Sequence, residues 1–129
     1  MPIRTIIQGP RFRICAYEKG TSCETLEFLK DLENNQPADH KRILAIIKKT
    51  ADSGPPRNIE QCNSLSGEHA DDLYEFKTPG GVRLLWFYDK GRLIICSHGF
   101  LKKGQKTPRA QIDRAQSTRK QYFEEIGND

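Results

Sequence analysis

The sequence predicts a single α+β domain over residues 1–129, with an antiparallel sheet, an N-terminal helix hairpin on one face of that sheet and a C-terminal helix. The length of 129 residues suits one domain. An apolar content of 36% with ordinary numbers of glycines and prolines excludes collagen, coiled-coil rods and wholly disordered chains. Segments with strand-like and helix-like apolar spacing follow one another in the order β-α-α-β-β-β-α. We expect the chain ends, residues 1–10 and 127–129, to fray.

The boundaries of these elements follow from turn and capping signals. Thr21 and Glu24 have the spacing of a capping box, and Pro37 suits the first turn of a second helix. Thr107 followed by Pro108 is typical of a helix start, with Thr as the N-cap. The predicted elements are a strand at 12–17, helices at about 21–34 and 37–51, a loop at 57–72, strands at 73–77, 82–88 and 92–101, and a helix from 107 onward.

Alternation along the predicted strands sorts their side chains onto two faces. The aromatic face, which we expect beneath the helix hairpin, carries Tyr74, Phe76, Trp86 and Tyr88. Glu75, Lys77 and Arg83 lie on the opposite face, which we expect to be open. His98 and Phe100 come at the end of the last strand, just before a basic loop that contains Lys102, Lys103 and Lys106. The sequence therefore predicts a half-open, basic sheet surface.

Positive charge is concentrated in one part of the chain. The net charge is only +4, but residues 77–121 carry 11 Lys and Arg against two acidic residues, Asp89 and Asp113. Such a stretch suits a polyanion such as a nucleic-acid backbone, and a solvated face that keeps the protein soluble is the alternative. No apolar run exceeds five residues, and the N-terminus has no apolar segment of the kind found in signal peptides. We therefore expect a cytoplasmic protein without membrane contact.

The cysteines and histidines give no sign of a metal site. The four cysteines are widely spaced, at positions 15, 23, 62 and 96, and the three histidines stand at 40, 69 and 98. Zinc sites usually need clustered ligands, and disulfides are rare without secretion. We expect reduced thiols, no metal and no cofactor.

The residues on the basic surface suit RNA cleavage, in which the RNA 2′-OH attacks the adjacent phosphate. Arg83 is suited to hold that phosphate, Lys77 among other cations can act as a base, and His98 can transfer a proton. Phe100 can stack on a base, and Lys102, Lys103 and Lys106 can bind the RNA backbone.

Each of these roles has a simpler alternative. Arg83 could instead form an edge salt bridge with Glu75, which is also a weaker candidate for the general base. His98 could satisfy a backbone group, and Phe100 could pack in the core. The lysines could be no more than solvated surface residues.

The central and last strands resemble those of the RelE/HigB-type toxins. The segment Ser97–Pro108, with its His-Gly-Phe, Lys-Lys and Gln-Lys-Thr-Pro runs, is similar to one in the phage-derived HigB-like branch of the RelE/ParE superfamily. The resemblance is strong over residues 65–123, and over 1–64 only the order of elements agrees. It implies a RelE-like fold of the microbial-RNase type, ribosome-dependent mRNA cleavage and neutralisation by an antitoxin, often a helix-turn-helix protein.

The resemblance also implies roles for individual residues. Arg83 matches the strand arginine that holds the scissile phosphate, and Lys77 matches a basic residue where this branch more often has Arg. His98 matches the histidine of the His-Gly-Phe segment. Lys102 and Lys103 fall near the second phosphate-contacting residue, and Tyr122 is the nearest counterpart of a late tyrosine that acts as base or stacking residue in some relatives.

These observations favour the toxin component of a toxin–antitoxin system, a metal-independent, ribosome-dependent mRNA endoribonuclease that inhibits translation. The alternatives are a gyrase-inhibiting ParE-like toxin and a non-enzymatic phage-derived protein that binds nucleic acid or a partner. We expect the antitoxin to cover the open face or the basic loop, where Leu85 and Phe87 would offer apolar contacts.

Overall fold

A computed structural model of the chain shows an α+β protein with one six-stranded sheet and three helices, which confirms the predicted class. The structure describes residues 2–65, 70, 72–102, 104 and 107–127. The elements are β1 (Ile3–Gln8), β2 (Arg13–Tyr17), α1 (Glu24–Asn35), α2 (Pro37–Ser53), β3 (Cys62–Ser64), β4 (Tyr74–Lys77), β5 (Val82–Asp89), β6 (Leu93–Leu101) and α3 (Arg109–Gly127).

The sheet is mixed, which corrects the expectation of an antiparallel one. Its strand order is β1-β2-β6-β5-β4-β3. Strands β2 and β6 run parallel, and every other neighbouring pair is antiparallel. The β2–β6 pairing joins the N-terminal hairpin to the C-terminal meander. This places β6 inside the sheet, where its apolar centre packs in a core on each face.

Helices α1 and α2 cover one face of the sheet. Phe76 and Trp86 lie in the core beneath them, with their ring centroids 4.9 Å apart. Each helix contributes its apolar side to this core, chiefly through Leu29, Leu32, Ile43, Ile46 and Ile47. The prediction that the aromatic face packs under the helix hairpin is therefore confirmed.

Helix α3 covers much of the opposite face. Leu85 and Phe87 are fully buried there against Ile112, Ala115 and Tyr122. The expectation that Leu85 and Phe87 form part of a partner interface is wrong, because α3 folds back over them. None of the three helices, within the part of the chain described, is long and apolar enough to cross a membrane.

Two strands were not predicted. Residues Ile3–Gln8, which were expected to fray, form the edge strand β1, and a bulge at Ile6 breaks the alternation that would have revealed it. Strand β3, Cys62–Ser64, lies in the predicted loop. It has three residues with weak strand preference and is defined by its pairing with β4.

The predicted helix starts are correct for one helix and wrong for two. Pro37 occupies the first turn of α2 as expected. The N-cap of α1 is Cys23 rather than Thr21, without a side-chain cap. The carbonyl of Pro108 accepts the first backbone hydrogen bonds of α3, so Thr107 is not its N-cap.

Candidate functional site

Three of the predicted site residues form one row across three strands. Lys77 of β4 lies opposite Arg83 of β5, and Arg83 lies opposite Phe100 of β6. Directly opposite residues in a sheet share a face, so the three side chains lie on the same side. All three are half-buried. We call Lys77, Arg83 and Phe100 the open row.

The next row along the same face is closed. It consists of Glu75, Leu85 and His98, which the register also places opposite one another. These residues are 2%, 0% and 1% exposed, respectively. The start of α3 lies over this row, since Gln111 of its first turn contacts His98. The predicted open face is therefore reduced to a strip at one end of the sheet.

A β-bulge at Ser97 brings His98 and Phe100 onto this face. Leu85 pairs with His98 but the next residue, Trp86, pairs with Cys96, so Ser97 is the extra residue of β6. Unbroken alternation would have placed His98 on the side of Cys96, beneath α1 and α2. The bulge thus combines the histidine and the aromatic ring with Arg83.

Helix α1 packs closely against β6 at Gly99, on the face of the sheet opposite to His98 and Phe100. Gly99 lies opposite Leu84, on the face covered by the helix hairpin. A Cβ at position 99 would collide with the ring of Phe28 on α1. A glycine between His98 and Phe100 therefore lets the helix approach the strand directly.

The guanidinium of Arg83 is held by hydrogen bonds from Nη1 to the backbone. Its Nη1 donates to the carbonyl of Val82 at 2.9 Å and more weakly to that of Thr78 at 3.4 Å. Its Nε is buried and has no hydrogen-bond partner among the described residues. An arginine held in this way is oriented in advance, and its buried Nε is a donor left without a partner in the described part of the chain.

Both ring nitrogens of His98 form hydrogen bonds with side chains. Its Nδ1 lies 2.9 Å from Ser97 Oγ, and its Nε2 lies 2.8 Å from Gln111 Oε1. Because the Gln111 oxygen can only accept, Nε2 carries the proton and Nδ1 accepts from Ser97. Burial lowers the pKa of His98, and the nearby Arg114 lowers it further, against the opposing effects of Gln111 and Glu24. The ring is therefore neutral at pH 7 and makes no contact with solvent.

Glu75 is held in a similar way at the same end of α3. Its Oε2 accepts a hydrogen bond of 2.7 Å from Thr107 Oγ1. The alternative role of Arg83, an edge salt bridge with Glu75, is not among the ion pairs of the described residues, and Arg83 donates to backbone carbonyls instead. Glu75 thus fastens the start of α3 to β4.

Asp39 fixes the turn between β4 and β5, which carries Lys77 on one side and Arg83 on the other. Its Oδ1 accepts a hydrogen bond of 3.0 Å from Thr78 Oγ1. Burial alone would raise the pKa of Asp39, but hydrogen bonds from Gln36, Thr78 and Gly80 and the charge of Arg42 lower it below its ordinary value. A Cβ at position 80 would collide with this carboxylate.

The basic loop is described only in part. Lys102 is half-buried, and its backbone N–H donates to the carbonyl of Gly81 at 2.7 Å, which places it beside the β4–β5 turn. Lys103 and Lys106 lie outside the described residues. Tyr122 is fully buried, and its hydroxyl donates to Asp89 at the far end of β5, about 20 Å along the strand from Arg83. Tyr122 is therefore too distant to act on a ligand bound at the open row.

Four residues that organise the site escaped the sequence analysis. These are Asp39, Ser97, Thr107 as the partner of Glu75, and Gln111. The only sequence signal for any of them is the position of Asp39 in the first turn of α2, where an acidic residue is ordinarily attributed to the helix dipole.

Comparison with known proteins gives one family. The sequence model of the family described as "Phage derived protein Gp49-like (DUF891)" matches residues 27–120, which is most of the chain and includes the open row. No curated protein matches the chain.

Proposed function

Because this chain belongs to the Gp49-like family of phage-derived proteins, we propose that it is the toxin component of a toxin–antitoxin system. Its activity is metal-independent cleavage of mRNA on the ribosome, which stops translation. The observation that carries this proposal is the open row, in which an arginine anchored to backbone carbonyls lies between a lysine and an aromatic ring.

Arg83 binds the scissile phosphate in this mechanism. As the 2′-OH attacks, the bond from phosphorus to the 5′-oxygen breaks, which leaves a 2′,3′-cyclic phosphate and a 5′-oxygen that takes a proton from solvent. Negative charge grows on the phosphorus-bound oxygens in the transition state, and a guanidinium already in position stabilises the transition state more than the ground state. Lys77 lies directly opposite and adds a second cation. Lys77 is also the candidate to accept the 2′-OH proton, a role that uses the amine in its neutral form.

Phe100 offers a stacking surface on the other side of Arg83. Sequence-tolerant recognition of single-stranded RNA commonly uses an aromatic ring for a base beside cations for the backbone. The half-buried ring lies in the last row that α3 leaves open, so a base splayed out of an RNA strand can reach it.

His98 acts by position in this proposal. Its buried ring supports Phe100, with 6.0 Å between the ring centroids, and direct proton transfer would require Gln111 to release Nε2. Neutralisation by a helix-turn-helix antitoxin would cover the open row; Leu101, which is 49% exposed at the end of β6, faces the other side of the sheet, as its pairing with Val82 shows.

The test is inducible expression of the wild type and of Arg83→Gln, with protein synthesis and mRNA cleavage measured after induction. We expect the variant to lose cleavage by about 10²–10³-fold, the usual effect of removing one positioned charge donor. Arg92→Gln is the matched control, because Arg92 is exposed at the opposite end of the β5–β6 hairpin. Continued translation with broken DNA would instead support gyrase inhibition, and unaltered growth would support a non-enzymatic binding protein.

A further inference from the structure

A groove of about 350 Å³ lies between helix α2 and residues 58–61 and reaches Lys77. Its walls are formed by Arg42, Ala45, Ile46, Lys49, Asn58, Glu60, Gln61 and Lys77, together with the start of the β4–β5 turn. We call it the α2 groove. Of the residues that line the groove, the mechanism proposed above uses Lys77 alone.

The two cations of α2 are spaced along one side of the helix. Arg42 and Lys49 are seven residues apart, which is close to two turns and about 10.5 Å along the axis. Ala45, which has a small side chain, lies between them, and the buried Ile46 forms the floor of the groove. This arrangement leaves an open channel with a cation at each end.

The charges of the groove favour an anionic occupant. Arg42, Lys49 and Lys77 contribute three positive charges against two carboxylates, that of Glu60 in the lining and that of Asp39 beside Arg42. Arg42 Nη1 lies 3.7 Å from Asp39 Oδ1, so its guanidinium is oriented by the same carboxylate that holds the β4–β5 turn. The amides of Asn58 and Gln61 supply neutral hydrogen-bonding groups along the other wall.

The groove lies on the α2 side of the sheet and the open row on the opposite side, and the two meet at Lys77 at the end of β4. Lys77 belongs to both, and the turn that follows it is tied to α2 through the hydrogen bond between Thr78 and Asp39. The relative position of Arg83 and the α2 cations is therefore fixed by the fold. A strand bound at Arg83 would enter the groove by passing around the end of the sheet beside Lys77.

We propose that the α2 groove binds single-stranded RNA on one side of the scissile phosphate, with Arg42 and Lys49 each contacting one further phosphate. This inference extends the proposed ribonuclease site and assigns it a strand path. Cleavage by Arg83 and binding by Arg42 and Lys49 are separate properties, so each can be tested without the other.

The experiment measures binding of a fluorescent 12-nucleotide RNA in which every 2′-OH is methylated, so that the protein cannot cleave it. Each lost phosphate contact should reduce the slope of log K against log salt by about 0.7. We expect Arg42→Gln/Lys49→Gln to reduce this slope by about 1.4, while a methylated trinucleotide binds as it does to the wild type. Lys30→Gln/Arg92→Gln removes the same charge from exposed positions elsewhere and should leave the slope unchanged.

A second pair of variants keeps the test independent of protein stability. Ala45→Glu adds a carboxylate to the middle of the groove on an exposed helical position, and Ala45→Gln is its neutral control. We expect weaker binding of the 12-nucleotide RNA only for Ala45→Glu.

The possible results separate the two proposals. An unchanged salt slope in the α2 double variant would overturn the proposal that the groove binds RNA, and so would failure of the wild type to bind the 12-nucleotide RNA. In either case the ribonuclease proposal would stand if Arg83→Gln still lost cleavage. Loss of antitoxin binding with intact RNA binding would make the groove a protein interface and also overturn it. A reduced slope without any cleavage by the wild type would support the groove and reject the ribonuclease.

Discussion

Lys77 and Arg83 face one another across the antiparallel strands β4 and β5, so that two cations occupy directly opposite positions at one end of the sheet. Like charges in this arrangement destabilise a sheet by a few tenths to about 1 kcal/mol. A bound phosphate would compensate both charges. The pair therefore links the stability of the protein to occupation of the site.

Lys77→Gln should make the free protein more stable while weakening its activity. Removing one of two opposed cations should raise the free energy of unfolding by about 0.2–1 kcal/mol, measured by urea unfolding. Lys90→Gln, at an exposed turn position, is the control with the same charge change. A Lys77→Gln protein that is less stable than the wild type, with Lys90→Gln unaffected, would show that the lysine is held by favourable contacts instead.

Acid should destabilise the protein through His98. Burial lowers the pKa of the folded histidine below 6.5, so above pH 6.5 neither state binds the proton. Below that pH the unfolded chain is protonated first, and the free energy of unfolding falls by at most about 1.4 kcal/mol per pH unit until the lower folded pKa is passed. Urea unfolding at pH 7.5 and 5.5 should show this loss in the wild type.

The same measurement on His98→Gln isolates the histidine from other acid-sensitive groups. This variant should lose less stability than the wild type between the two pH values, whatever its absolute stability. Equal losses in both proteins would place the acid sensitivity elsewhere.

Asp39→Ala should loosen the turn that carries the site. The substitution removes the acceptor for Thr78 and Gln36 and leaves their donors unpaired in a mostly buried region, at a cost of about 1–3 kcal/mol in unfolding free energy. Asp39→Asn keeps an acceptor oxygen and should cost less. The two variants would be compared by urea unfolding, and a larger loss for Asn than for Ala would contradict this role.

Leu85→Ala should destabilise the core beneath α3 and leave partner contacts intact. Leu85 is fully buried, so its truncation should cost about 2–5 kcal/mol. Leu101→Ala is the contrasting variant because Leu101 is 49% exposed, and it should cost less than about 1 kcal/mol. Thermal unfolding and copurification with the antitoxin measure the two effects, and a stable Leu85→Ala protein would argue against the position of α3.

Local periodicity was sufficient to predict the centre of the fold. The alternation of Tyr74 to Lys77 and of Val82 to Tyr88 assigned the aromatic side chains to the helix face and Lys77 and Arg83 to the other, as the register confirms. Those assignments depend only on neighbouring residues along regular strands. The register that places Lys77 directly opposite Arg83 was not predicted and comes from the structure.

Features that depend on distant contacts were not predictable in this way. The covering of Leu85 by α3 and the contact of Gln111 with His98 depend on how a helix with modest apolar character returns to the sheet. The role of Asp39 depends on a residue 39 positions away. Neither long-range packing nor a single side-chain hydrogen bond leaves a periodic trace in the sequence.

The extra residue at Ser97 changes which residues of β6 face α3. Before it, odd-numbered residues such as Ile95 point toward α3; after it, even-numbered residues such as His98 and Phe100 do so. A chain lacking Ser97 would retain this orientation in a straighter strand, although His98 would lose its hydroxyl partner. A regular ladder with the chain length unchanged would turn His98 and Phe100 toward Phe28, whereas the loss or the gain of one residue at this point would keep both of them facing α3.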